Sequence, residues 1–172
     1  EKIPSVFQPE ATSCNNIGYV YLKNHQYKEA KKYFQKGLEQ KNISRDKPFV
    51  YAMLLDNLAL SKLKLNEKEG LASLFYKSLK IRDSLQLTTG IITSKLNLSA
   101  YFRSGKDTVK ASQNAKEALA LARSSNSYRD ILISLKQLSV IEPHNAAVYA
   151  NEYIQVSEKL QKAERNIGNK FS

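Results

Sequence analysis

Four segments of this 172-residue chain repeat one pattern at a nearly constant step, and that step restricts the fold more than any single residue does. Ile17-Gly18, Leu58-Ala59, Leu98-Ser99 and Leu138-Ser139 stand 41, 40 and 40 residues apart. Each pair is followed by a second landmark: Ala30-x3-Phe34-x2-Gly37, Leu71-x3-Phe75-x2-Ser78, Ala111-x3-Ala115-x2-Ala118 and Ala150-x3-Ile154-x2-Ser157. A fixed period in this range marks stacked supersecondary units, none of which can bury its apolar face alone. Stacks of this kind offer extended surfaces to partners, and seldom a catalytic pocket.

The apolar spacing predicts eight helices in pairs, at about 11–23, 27–40, 48–64, 67–84, 88–103, 107–124, 127–141 and 145–167. Asn24, Asn66 and Gly105 fall in the tight turns, where a residue tolerant of positive φ is wanted. Pro48 suits a first helical turn, Ser127-x-x-Asp130 resembles a capping box, and Asn145 is a candidate N-cap. Gly18, Ala59, Ser99 and Ser139 are all small, as two antiparallel helices require where their backbones cross closely. Phe34, Phe75 and Ile154 read as plugs between crossings, with Ala115 the weak member.

Composition narrows the function. Lys and Arg total 27 against 16 Asp and Glu, a formal net charge of +11. A basic surface can meet nucleic acid, anionic lipid or an acidic protein. Here the charge is scattered, which reads as a solvated surface, and nucleic acid is not the expected partner. The single Cys14 excludes an internal disulfide or a cysteine-based metal site and reads as core. His25 and His144 lie outside any metal-ligand spacing, so no metal and no cofactor are expected. Phosphate-loop, G-x-S-x-G and H-E-x-x-H motifs are absent, which argues against an enzyme. No stretch approaches the roughly 18 apolar residues of a membrane span. The chain opens at Glu1 with neither initiator Met nor signal peptide, and is expected to be a piece of a longer protein.

These columns resemble the tetratricopeptide repeat, whose pattern is W-x2-L-G-x2-Y, then A-x3-F, then P. The first repeat carries Cys14, Ile17-Gly18, Tyr21, Ala30, Phe34 and Gly37; the fourth is the most divergent, with Glu142 in place of the aromatic. The resemblance implies an all-α, right-handed α-solenoid of about four hairpins with a long carboxyl-terminal helix. Its parts are expected to be an entry segment at 1–10, repeats at about 11–47, 48–87, 88–126 and 127–160, and a helical extension at 161–172 leading to a downstream region. The phrases Leu55-Asp56-Asn57-Leu58-Ala59, Leu74 to Leu85 and Ala163 to Phe171 are similar to the repeat-bearing sensor region of Bacteroidetes two-component proteins. That likeness implies an extracytoplasmic, periplasmic sensor preceding a membrane span and a histidine kinase or helix-turn-helix output domain; the alternative is a cytoplasmic location. Membrane contact is expected only through that downstream region.

Two residues before each crossing pair's small member stands a side-chain amide: Asn16, Asn57, Asn97 and Gln137. In the tetratricopeptide register this column lines the concave face. An amide donates and accepts at once, so it can bracket a peptide unit without reading side chains. Helices repeating at about 8–10 Å would meet a strand rising about 3.3 Å per residue at roughly every third residue. The competing reading is that the amides tie neighbouring helices together or face water. Tyr19, Lys23, Lys64, Arg103 and Lys136 share the face, with Asp56, Leu60, Ala100 and Val140, giving a mildly basic surface suited to an extended protein or peptide segment of acidic character. The carboxylate clamp of chaperone-binding tetratricopeptide domains is rejected, because Asn15, Tyr19, Thr93 and Asn97 occupy its positions and only Asn57 fits. Tyr149, Tyr153, Val156, Leu160, Ala163 and Ile167 form a heptad seam, which is expected to extend as a coiled coil or make a homodimer through the carboxyl-terminal helix. The function expected is thus a protein- or peptide-binding sensor module. A constitutive scaffold is the alternative, and nucleic-acid binding a distant third.

Overall fold

A computed structural model describes residues 10–168. Helices and turns alone make up the described residues. In order they are α1 Ala11–Lys23, α2 Tyr27–Leu38, α3 Ile43–Asp46, α4 Pro48–Lys64, α5 Leu71–Ser84, α6 Thr88–Ser104, α7 Thr108–Ser124, α8 Tyr128–Ile141, a 3-10 turn Pro143–Asn145, and α9 Ala146–Gly168. The fold is the expected all-α succession of helical hairpins. Residues 1–9 of the entry segment and 169–172 of the helical extension lie outside the described residues. The chain divides into two compact units, residues 1–85 and 86–172.

In the first unit α1 pairs with α2, and α4 with α5, while α4 also packs on α1 and α2. Phe34, Ala30, Leu54 and Leu58 form its core with Ala11 and Ile43. The small columns do what helix crossing demands. Gly18 and Gly37 are buried, and a Cβ on Gly37 would stand 2.7 Å from Leu54 Cδ2. Ser78 Oγ donates to the Ala52 carbonyl at 2.8 Å, so its hydroxyl is satisfied where the backbones come close. The short α3 is an addition to the expected helices. It starts after Asn42, at φ 60°, and drops Ile43 into the core.

In the second unit α6 pairs with α7 and α8 with α9, and α8 also packs on α6 and α7. Ile92, Leu96, Leu119, Leu135 and Leu138 form the core with Ala115, Ala118 and Val156. Ser99 Oγ donates to the Ala111 carbonyl at 2.7 Å, joining two small columns at one crossing.

Several boundaries differ from expectation for local reasons. Positive φ falls on His25, Asn66 and Lys106, so Asn24 and Gly105 are each one residue early. Gln26 N–H bonds Tyr21 O, Glu67 N–H bonds Lys62 O, and Asp107 N–H bonds Phe102 O, the six-to-one closure that ends a helix at a left-handed residue. Helix α5 begins at Leu71 rather than 67, because Gly70 at φ 71° starts a fresh helix after the loop. Lys62 Nζ reaches Glu69 O, and Lys31 Nζ reaches Glu67 at 2.7 Å, and these bonds hold that loop. Pro48 opens α4 as expected. Ser127 donates to the Asp130 carboxylate at 2.7 Å instead of capping a backbone N–H, whereas Asp107 is a true cap, accepting from Lys110 N at 3.0 Å. That bond holds the Asp107 carboxyl below its usual range.

The fourth hairpin departs most. Ala150 is exposed and Ile154 is 56 % exposed, so neither packs on α8. The core-facing register runs one residue earlier, through Tyr149 and Val156. Glu142 explains the shift. It accepts hydrogen bonds from Ser112, from Tyr149 Oη at 2.5 Å and from Asn145 Nδ2 at 3.1 Å, and it pairs with Lys116 Nζ at 2.6 Å. Asn145, expected as a cap, therefore spends its side chain on Glu142. These donors, Lys116 foremost, push the Glu142 carboxyl far below the ordinary carboxylate range. The seam of α9 follows the same register: Val156 is core and Leu160 and Ala163 are half-buried, while Glu164 is held by Arg129 of α8 at 3.1 Å.

Candidate protein-binding face

The first helix of each hairpin, α1, α4, α6 and α8, carries the amide column. In the first unit Asn16 is exposed, and it accepts from Asn15 Nδ2 at 3.5 Å. Asn57 is half-buried and donates from Nδ2 to Asn15 Oδ1 at 3.0 Å, bridging α4 to α1. In the second unit Gln137 Nε2 donates to the Leu96 carbonyl at 3.0 Å, bridging α8 to α6. The two bonds are equivalent: each runs to the residue preceding the column in the earlier hairpin, over 42 and 41 residues. Asn97 Nδ2 is buried and meets no acceptor. Two of the four amides thus tie the first helices of neighbouring hairpins together within each unit. Each keeps its oxygen and a second N–H.

Sequence reasoning missed Asn15. It is buried, and only its 42-residue separation from Asn57, one more than the repeat step, hinted at the bond.

Around the column the first unit presents Tyr19 and Lys23, with the Lys23 ammonium 5.9 Å from the Tyr19 ring centroid, and Lys64 exposed at the end of α4. The second unit presents Arg103 at the end of α6 and Lys136 and Val140 on α8, all exposed. Asp56 does not join this surface. It is buried and accepts from Arg82 Nη1 of α5 at 2.5 Å. Burial lowers the Arg82 guanidinium's pKa, and the Asp56 charge works against that shift. Removing Asp56 from the face makes it more basic than expected.

Elsewhere the side chains read as structure. Cys14 is fully buried, which raises its thiol's pKa. His25 Nδ1 lies 2.8 Å from Tyr27 Oη within a turn. Among the described residues no group of three or more His, Cys, Asp or Glu is placed to hold a metal ion, and no helix is long and apolar enough to cross a membrane.

Residues 11–42, which hold α1 and α2, match the tetratricopeptide repeat family. The first hairpin is a tetratricopeptide repeat, and such repeats are generally non-catalytic modules of protein–protein interaction. No curated protein matches the chain.

Proposed function

We propose that this chain is a protein-binding module, in each of whose two units the first helices of the hairpins, α1 with α4 and α6 with α8, hold an extended acidic segment. One observation carries the reading. Helices α1 and α6 contain no carboxylate, and those of α4 and α8 are engaged within the fold, Asp56 by Arg82 and Asp130 by Ser127. Lys23, Lys64, Arg103 and Lys136 meanwhile stand exposed. In each unit such a surface carries exposed bases, with the acid of α4 paired by Arg82 and that of α8 hydrogen-bonded to Ser127, and so selects acidic partners and speeds their approach. Asn16 and the remaining capacity of Asn57, in the first unit, and of Gln137, in the second, would take the partner's peptide groups, with Tyr19 as an aromatic neighbour of Asn16.

The phrases shared with Bacteroidetes two-component sensors support a finer reading. The module is the extracytoplasmic part of a signalling protein, and partner occupancy biases its downstream output through α9. Such a bias requires different partner affinities in two states. A constitutive scaffold would bind in the same way without that output.

Fluorescence anisotropy with length-matched acidic, neutral and basic unstructured peptides tests the binding. Acidic peptides should bind tightest, and less tightly as salt rises. Equal binding of basic peptides, or a preference for single-stranded nucleic acid, would refute it. Protease access to the domain in intact cells of the source tests the extracytoplasmic reading separately.

A further inference from the structure

Helix α1 and the α8/α9 hairpin each expose residues whose counterparts at the repeat period are buried or bonded elsewhere in the chain. Ser13, Ile17 and Val20 of α1 stand 121 residues before Ser134, Leu138 and Ile141 of α8 (134 − 13, 138 − 17 and 141 − 20). In α8 the stripe serves stacking. Ser134 and Leu138 are fully buried, and Ile141 packs against the core that α8 shares with α6 and α7. In α1 the same stripe faces outward: Ser13 is exposed, Ile17 is 37 % exposed and Val20 59 % exposed.

The last hairpin carries the complementary surface. Between α8 and α9 lies a groove of about 330 Å³ lined by Lys136, Ser139, Tyr149, Ala150, Tyr153 and Ile154. It is the counterpart, one hairpin on, of the crevice between α6 and α7 that receives α8. Ala150 and Ile154 occupy the positions of Ser112 and Lys116 in α7, 38 residues earlier (150 − 112 and 154 − 116). Ser112 and Lys116 are the pair that binds Glu142, the residue that follows α8. The residue of α1 equivalent to Glu142 is Tyr21 (142 − 21 = 121). Tyr21 is spent within its own unit, packed on the first core and stacked on Tyr33 of α2 at 5.4 Å between ring centroids, while on the groove side Ala150 and Ile154 replace the Ser and Lys of the polar lock.

We propose that α1 of a second copy docks into the α8/α9 groove, so that copies associate head to tail. The contact repeats the joint that already seats α8, and α1 supplies the stripe that fits it. It is heterologous, using different surfaces on the two copies. It shares Lys136 with the proposed peptide-binding surface, whereas Val20 and Ile154, the residues substituted below, lie outside that surface. The net charge of +11 on each copy opposes association, so screening salt strengthens it.

Sedimentation of the whole chain over rising concentration tests this, with Val20→Asp as a head variant and Ile154→Asp as a tail variant. Both sites are exposed, and unchanged helical circular dichroism verifies each fold. The wild type should associate increasingly with concentration and salt, and either variant alone should be monomeric. Mixed, the two variants restore one intact joint and should give a 1:1 dimer and nothing larger. A wild type that stays monomeric to millimolar concentration overturns the proposal. So does a variant that still associates, or a mixture without dimer, since a two-fold contact would leave the mixture monomeric.

Discussion

A Cβ on Gly18 would stand 2.5 Å from Cε1 of Phe34, closer than any side chain tolerates, so the absence of a side chain on α1 is what lets the Phe34 ring lie flat in the first hairpin. Phe34 is fully buried, so its ring has little room to move aside. Gly18→Ala should therefore destabilise the fold by about 1–3 kcal/mol despite alanine's better helix propensity. Phe34→Leu in the same chain should recover part of that loss. Urea melts of the single and double variants check both expectations.

The amide column divides into structural and exposed members. Asn57→Ala breaks the bond to buried Asn15 and should cost about 1–2 kcal/mol of stability, and Gln137→Ala about 1 kcal/mol. Asn16→Ala should leave stability unchanged, since Asn16 is exposed and its contact is long. Its effect, if the column grips a peptide, appears in binding alone. Paired thermal melts and peptide titrations separate the two roles.

Asp56 and Arg82 form a buried ion pair between α4 and α5. Removing one partner takes away the other's buried counter-charge, so Arg82→Met alone should cost about 3–5 kcal/mol. Asp56→Leu combined with Arg82→Met should lie near the wild type, since packing replaces a pair that was costly to desolvate. A double-mutant cycle in urea reads the coupling. Additive losses would show that the two residues act independently.

Why the pair escaped sequence reading is instructive. Periodicity tells which face a residue occupies; it does not tell what waits opposite. Asp56 lies on the same helix as the amide column, and only Arg82, 26 residues on, reveals that it is buried. The hairpins themselves were legible because small residues at a fixed step are forced by backbone crossing, as Gly18 and Ser99 demonstrate. The turns were legible to within one residue, because Asn24 and Gly105 signal a turn while the left-handed position falls on His25 and Lys106. In α9 the seam through Tyr149 and Val156 was legible, whereas the repeat landmark Ala150-x3-Ile154 was read one residue late, at the hairpin whose connection holds the Pro143–Asn145 turn and the Glu142 cluster.

Glu142 predicts a pH dependence. Its folded-state carboxyl is depressed, and an unfolded glutamate titrates near about 4.3. The unfolded chain therefore binds the proton first, and stability present above that value falls as the solution is acidified through it. Asp107 and Glu117, also depressed, act in the same direction. Glu142→Gln should lower stability at neutral pH and flatten the loss on acidification below about pH 5. Melting temperatures of both proteins across that range give the answer.

The most direct test of the account is charge reversal on α6 and α8. Arg103→Glu with Lys136→Glu should weaken binding of an acidic unstructured peptide by at least about tenfold, some 1.4 kcal/mol, and reduce its salt dependence. Lys28→Glu with Lys32→Glu, on α2, imposes the same change in net charge away from that face and should have little effect. Equal weakening by both pairs would mean that total charge, and not the face of α6 and α8, attracts the peptide, and the account would fail.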